Sequence, residues 1–239
     1  TLHDLGEFVR AEESFRAALT LNPNYARAYD NLGITLVALR RFREAEACFN
    51  RAINLQPNFA KYHNDLGVLF RTTGRLNESR AALEKAVGME PQYAEAHDNL
   101  GNTLQDLGEY AKAISEHHRA IALKPNFTTA RANLGSAVAM VEFKSPNTQL
   151  YPLLADLLNN GNLVYPKLIA KSVTSLIRND PIIQTLVTRK QESYKTSEAL
   201  SVLKSLDNFQ LLHVFLRVSP LPDLQIESVL TKLRRAILL

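Results

Sequence analysis

The sequence predicts an all-α protein: an array of helical hairpins over residues 1–143, then a non-repeat helical domain or extension over 144–239. Three observations predict it. Pro23, Pro57, Pro91 and Pro125 recur at a fixed interval of 34 residues. The pairs Leu32-Gly33, Leu66-Gly67, Leu100-Gly101 and Leu134-Gly135 keep the same interval. Between these landmarks apolar residues recur at helical spacing, as in Leu32, Leu36 and Leu39 or Ala45, Phe49 and Ala52. One hairpin cannot bury its apolar face alone, but stacked neighbours can.

The elements follow in order. Thr1–Gly6 has the pattern of the end of a first helix, and Phe8, Ala11 and Ala18 that of a second, closed by Pro23. Three complete repeats come next: Ala26–Phe59, Ala60–Tyr93 and Ala94–Phe127. In the first of these, the two helices are expected at Ala26–Leu39 and Phe42–Leu55. A helix-interior glycine costs about 1 kcal/mol relative to alanine. The recurrence of Gly33, Gly67, Gly101 and Gly135 therefore points to close approach of the partner helix. Gly74 and Gly108 suit a tight turn with positive φ. Arg40 stands at that place in its own repeat, where a looser turn or another geometry is expected. The prolines stop each second helix.

Thr128–Met140 supplies one more first helix, and the pattern lapses at Val141–Asn147. Apolar stripes then predict helices around Leu150–Leu158 and Ile169–Ile177, the second ended by Asp180-Pro181. Further helices are expected from Ile182, at Ala199–Leu206 and at Phe209–Val218. A last one is expected at Leu224–Leu239, with Asp223 as its N-cap.

The 34-residue landmarks resemble those of the tetratricopeptide repeat family, and the resemblance covers Thr1 to about Phe143. It implies a right-handed α-solenoid whose first helices line a concave face. Counting Ala26, Ala60, Ala94 and Thr128 as first places, the sixth places hold Asn31, Asp65, Asn99 and Asn133. Asparagine is a mediocre helix former, so propensity does not explain the row. Its amide donates and accepts, which suits the backbone of an extended peptide. Packed helices lie roughly 8–10 Å apart and an extended chain rises about 3.3 Å per residue, so one asparagine per repeat meets about every third peptide residue. The row is similar to the asparagine ladder of the O-GlcNAc transferase repeats, from which Asp65 departs by lacking an amide donor. The second places, Arg27, Lys61 and Glu95, are expected to set selectivity. Arg27, Asn31 and Lys61 also partly match the carboxylate clamp of chaperone-binding repeats. Asp65 and Glu95 place negative charge where the bound peptide carboxylate would lie.

The resemblance implies a protein- or peptide-binding scaffold, expected to be non-catalytic in this segment. No phosphate-binding glycine loop, dinucleotide fingerprint or nucleophile elbow occurs in the sequence, and no cofactor is expected. Adjacent His117 and His118 diverge by about 100° on a helix and make no clean metal face. His117 takes the place of Phe49 and Leu83 and is expected to be a partly buried core residue. His63 and His97 take the packing place of Tyr29. Cys48 is the only cysteine, so no internal disulfide can form, and its pattern is that of a small buried hydrophobe. No run reaches the ~18 apolar residues of a membrane span and no signal peptide is visible, so a cytoplasmic location is expected.

Residues 1–143 carry a net charge of −1 and residues 144–239 a net of +5. The repeats also lack a basic–aromatic platform, which points away from nucleic acid. The sequence starts inside one helical pattern and stops inside another, as expected of a segment of a longer protein. Repeats of this kind are commonly fused to transferases. Asp223–Leu239 resembles the helix that precedes the catalytic domain of bacterial repeat-containing methyltransferases. An O-GlcNAc-type glycosyltransferase is a further alternative for the parent protein.

Overall fold

The computed structural model describes residues 2–145, 147–159, 166–181, 183, 184, 211, 212 and 214, and every regular element among them is a helix. The chain divides into two compact units, Thr1–Ala130 and Arg131–Leu239. In the first unit α1 spans Leu2–Leu21, and three hairpins follow. These are α2 (Ala26–Ala38) with α3 (Phe42–Leu55), α4 (Ala60–Thr72) with α5 (Leu76–Met89), and α6 (Ala94–Asp106) with α7 (Tyr110–Leu123).

Each hairpin closes where a glycine meets a fully buried side chain of the opposite helix. A Cβ on Gly33 would fall 2.6 Å from the Phe49 ring, one on Gly67 2.6 Å from Leu83 Cγ, and one on Gly101 2.6 Å from the His117 ring. Such distances leave no room even for alanine without a shift. Between hairpins 1 and 2, Leu32, Leu36, Ala45, Phe49, Leu66, Leu69 and Phe70 form one buried cluster, joined by Phe15, Leu19 and Cys48. Complete burial of a side chain such as Phe49 or Leu36 contributes about 1.5–3 kcal/mol.

The turn at Arg40 corrects the expectation of a looser geometry. Arg40 has φ 61° and matches Gly74 and Gly108, both at φ 77°. All three turns close with the same pair of hydrogen bonds: Arg40 N to Val37 O (2.9 Å) with Arg41 N to Leu36 O (2.8 Å), and their counterparts one and two repeats on. This pair of hydrogen bonds fixes the left-handed residue regardless of its side chain. Gly6 gives a second correction, because it lies inside α1 rather than at a turn.

Successive first helices touch, α2 with α4 and α4 with α6. Each second helix packs instead between its own partner and the next first helix, α3 on α4 and α5 on α6. The first helices therefore line the inner face of this unit.

A recurring ion-pair motif joins neighbouring hairpins at their second helices. Arg41 Nη1 donates to Glu12 (2.7 Å) and its Nε to Glu44 (2.7 Å). Arg75 Nη1 donates to Glu46 (2.6 Å) and its Nε to Glu78 (2.6 Å). In the next repeat every sign is reversed: Glu109 accepts from Arg80 (2.9 Å) and from Lys112 (2.6 Å).

The helix α8 (Thr128–Ala139) lies mostly in the second unit. A 3-10 turn at Thr148–Leu150 leads into α9 (Tyr151–Asn159), and α10 spans Pro166–Arg178. The predicted stripes are the buried faces: Leu154, Leu157 and Leu158 on α9, and Ile169, Val173, Leu176 and Ile177 on α10. Phe143 N donates to Ser175 Oγ (2.9 Å), and Asn179 Nδ2 to Phe143 O (2.7 Å), which ties the irregular segment after α8 to α10. Tyr151 Oη donates to the buried Asp180 (2.8 Å). The helices expected at Ala199–Leu206 and Leu224–Leu239, and most of Phe209–Val218, lie outside the described residues.

Candidate functional site

The inner face of α2, α4 and α6 presents three polar rows, at the second, fifth and sixth places of each repeat. Of the sixth-place residues, Asn31 is partly exposed and its amide makes no hydrogen bond among the described residues. Asp65 is already occupied, with Oδ2 accepting from Lys61 Nζ (2.7 Å) and Oδ1 from Asn64 Nδ2 (2.9 Å). The Asn99 amide donates across the helices to Asn64 Oδ1 (2.9 Å). Asn133 is on α8, in the second unit. At the second places, Arg27 is exposed and makes no ion pair among the described residues. Lys61 bridges Asp30 and Asp65. Glu95 accepts from Lys124 (2.7 Å), which holds its carboxyl below the usual range.

The fifth-place row, Asp30, Asn64 and Asp98, was missed by reading one residue per repeat. All three are buried, at 1%, 5% and 5% exposure, and a polar residue at one register in three successive repeats was the available signal. Asp30 Oδ2 accepts from Lys61, while Asp30 Oδ1 is buried with no hydrogen-bond partner. Burial drives the Asp30 carboxyl up to about 6; Lys61 opposes the shift and Asp65 reinforces it. The Lys61 ammonium, more exposed, is shifted up despite its own desolvation, because both carboxylates hold its proton. At Asp30 burial outweighs the pairing with Lys61, since one of its oxygens lacks any donor. Two phenols sit within electrostatic reach. Tyr62 is raised by burial and then by Asp30, and Tyr93 is pushed up to about 12 by burial and then by Asp65.

The histidines serve packing. His117 is fully buried, more completely than expected. Its Nδ1 donates to Asp98 Oδ1 (2.7 Å), and its Nε2 lies 2.8 Å from the Gln105 amide oxygen. His63 and His97 both reach back to the carbonyl of the repeat's proline, Pro57 O at 3.0 Å and Pro91 O at 3.2 Å. Burial pulls His63 below its ordinary value. Cys48 is half-buried and its thiol is pushed up by desolvation, the opposite of a reactive thiolate. Among the described residues no group of three or more His, Cys, Asp or Glu side chains could hold a metal. No described helix is long and apolar enough to cross a membrane.

Tetratricopeptide repeat family models match residues 31–94 and 96–131. Residues 31–131 form a tetratricopeptide repeat array. Neither match enters the region with the methyltransferase resemblance, and Asp223–Leu239 lies outside the described residues. No curated protein matches the sequence. Among solved structures, the tetratricopeptide array resembles the crystal structure of MamA, at 21% identity and a TM-score of 0.52, over 73% of this chain and 87% of that one. It also resembles the MamA RS-1 ArsTM double mutant, at 21% identity and a TM-score of 0.50, over 55% and 74%. The Arabidopsis OM64 TPR domain matches at 17% identity and a TM-score of 0.47, over 48% and 96%. At 21% identity the likeness to the MamA structures is one of fold, a helical-hairpin solenoid.

Proposed function

We propose that this tetratricopeptide array is a non-catalytic, cytoplasmic scaffold that holds an extended segment of a partner protein against α2, α4 and α6. Arg27, Asn31, Lys61, Asp65, Glu95 and Asn99 form the contact strip, and Asn133 holds the same repeat place on α8. One observation carries this reading: the polar rows of successive first helices lie within hydrogen-bond reach of each other, as the 2.9 Å bond from Asn99 to Asn64 measures. A chain laid across them meets a continuous strip rather than isolated polar residues. Asn31 offers a full amide. Asn99, whose N–H is spent on Asn64, offers its carbonyl oxygen.

The test is peptide selection from a random library on the wild-type chain, followed by titration against Asn31→Ala/Asn99→Ala/Asn133→Ala. Each lost hydrogen bond costs roughly 0.5–1.5 kcal/mol, so binding should weaken between about tenfold and several hundredfold. Unchanged affinity in a folded triple variant would show that the strip is a solvated surface.

A further inference from the structure

Three observations single out the Asp30–Asp65 pair, which Lys61 bridges. Lys61 Nζ sits between Asp30 Oδ2 and Asp65 Oδ2, so these carboxylates already form a cation-binding pair. Asp30 is 1% exposed, yet its Oδ1 has no hydrogen-bond donor. Tyr62 and Tyr93 stand close enough for the two carboxylates to perturb their hydroxyls. The lysine stem that caps the pair is 39% exposed and ends a flexible four-carbon chain. An ammonium has three donors on one atom and reaches one oxygen of each carboxylate here. A guanidinium spreads five donors over a planar fork and can serve both oxygens of Asp30 together with Asp65.

We infer that the groove's partner is an extended segment carrying an arginine, which displaces Lys61 and pairs with both oxygens of Asp30 and with Asp65. The exchange keeps the charge at the site balanced, because one cation leaves as another arrives. It also satisfies the buried oxygen that Lys61 leaves unpaired. Displaced Lys61 turns to solvent, where its ammonium is fully hydrated. The polarity is opposite to that of a clamp for an acidic chain end.

This inference rests on the groove reading above, and the two are separable by experiment. A random octapeptide library is selected on the full chain and, in parallel, on Asp30→Asn. One selected peptide and its arginine-to-norleucine analogue are then titrated calorimetrically against wild type, Asp30→Asn, Asp65→Asn and Lys61→Met. Folding of each variant is checked by circular dichroism. Arginine should dominate one position of the wild-type selection and lose that dominance on Asp30→Asn. The norleucine exchange and each aspartate variant should weaken binding by about tenfold or more, as loss of a charge-assisted bond does. Lys61→Met should tighten it by removing the internal competitor, and the aspartate variants decide the matter if that one fails to fold. Selected peptides without an enriched arginine overturn the inference and leave the groove reading standing. So does an arginine peptide indifferent to Asp30→Asn, or one weakened by a folded Lys61→Met. A library that yields no binder on the wild-type chain overturns both.

Discussion

Arg40 holds a left-handed backbone that its counterparts Gly74 and Gly108 adopt without steric penalty. A side chain in that region costs roughly 1–2 kcal/mol, so Arg40→Gly should raise stability by about 1 kcal/mol in chemical denaturation. A loss of stability would mean that the exposed arginine makes up the strain elsewhere. Asp30 carries a different penalty, electrostatic rather than steric. Its folded-state carboxyl titrates near 6, above its ordinary 3.8. A raised carboxyl favours folding below the unfolded value, and that contribution disappears as pH climbs through about 6. Asp30→Asn should therefore match wild type near pH 4 and exceed it by about 1–3 kcal/mol at pH 8, measured as paired unfolding curves. Parallel curves at all pH values would show that Lys61 fully compensates the buried charge. The residue scale is also where sequence reading was weakest. The sixth-place asparagines were visible as a row, but nothing in their identity told which amides were free. That depends on Asn64 and Asp30, one register earlier, whose burial only the packed helices define.

The helical hairpin was the most legible element. The 34-residue spacing of prolines and Leu-Gly pairs placed six helices of the three complete repeats, because an apolar stripe, a glycine slot and a terminating proline all impose the same register. Gly6 shows where that logic stops: it holds the turn register, yet it lies inside α1. The ion-pair motif was not legible, since its three members are separated by 3 and 29 residues and swap sign between repeats. Glu109→Arg should lower the melting temperature by facing Arg80 and Lys112 with a third cation. Adding Arg80→Glu and Lys112→Glu to that variant, which rebuilds the earlier form of the motif, should recover it. An unchanged melting temperature in the single variant would mark these pairs as solvated ornaments with no coupling to the stack.

On the scale of the whole array, stability is passed from neighbour to neighbour rather than shared through one core. Gly101→Leu would press a side chain into the His117 ring, an overpacking worth about 1–3 kcal/mol. Hydrogen exchange should then accelerate in α6 and α7 first and in α5 next, while α2 and α3 keep their protection. Uniform acceleration across α1–α7 would instead reveal a single cooperative block. The sign reversal of the ion pairs has a consequence for the order of the units. The junction residues run Glu12 to Arg41, Glu46 to Arg75 and Arg80 to Glu109. Residues 60–93 thus offer a carboxylate-binding arginine on each side, and only a unit with an acidic residue at the place of Glu109 can follow them. Duplicating that unit would set Arg80 against a copy of Arg75, and exchanging it with the next would set Glu46 against Glu109. The units share one shape, yet their charges make them a sentence that can be spoken in one order only.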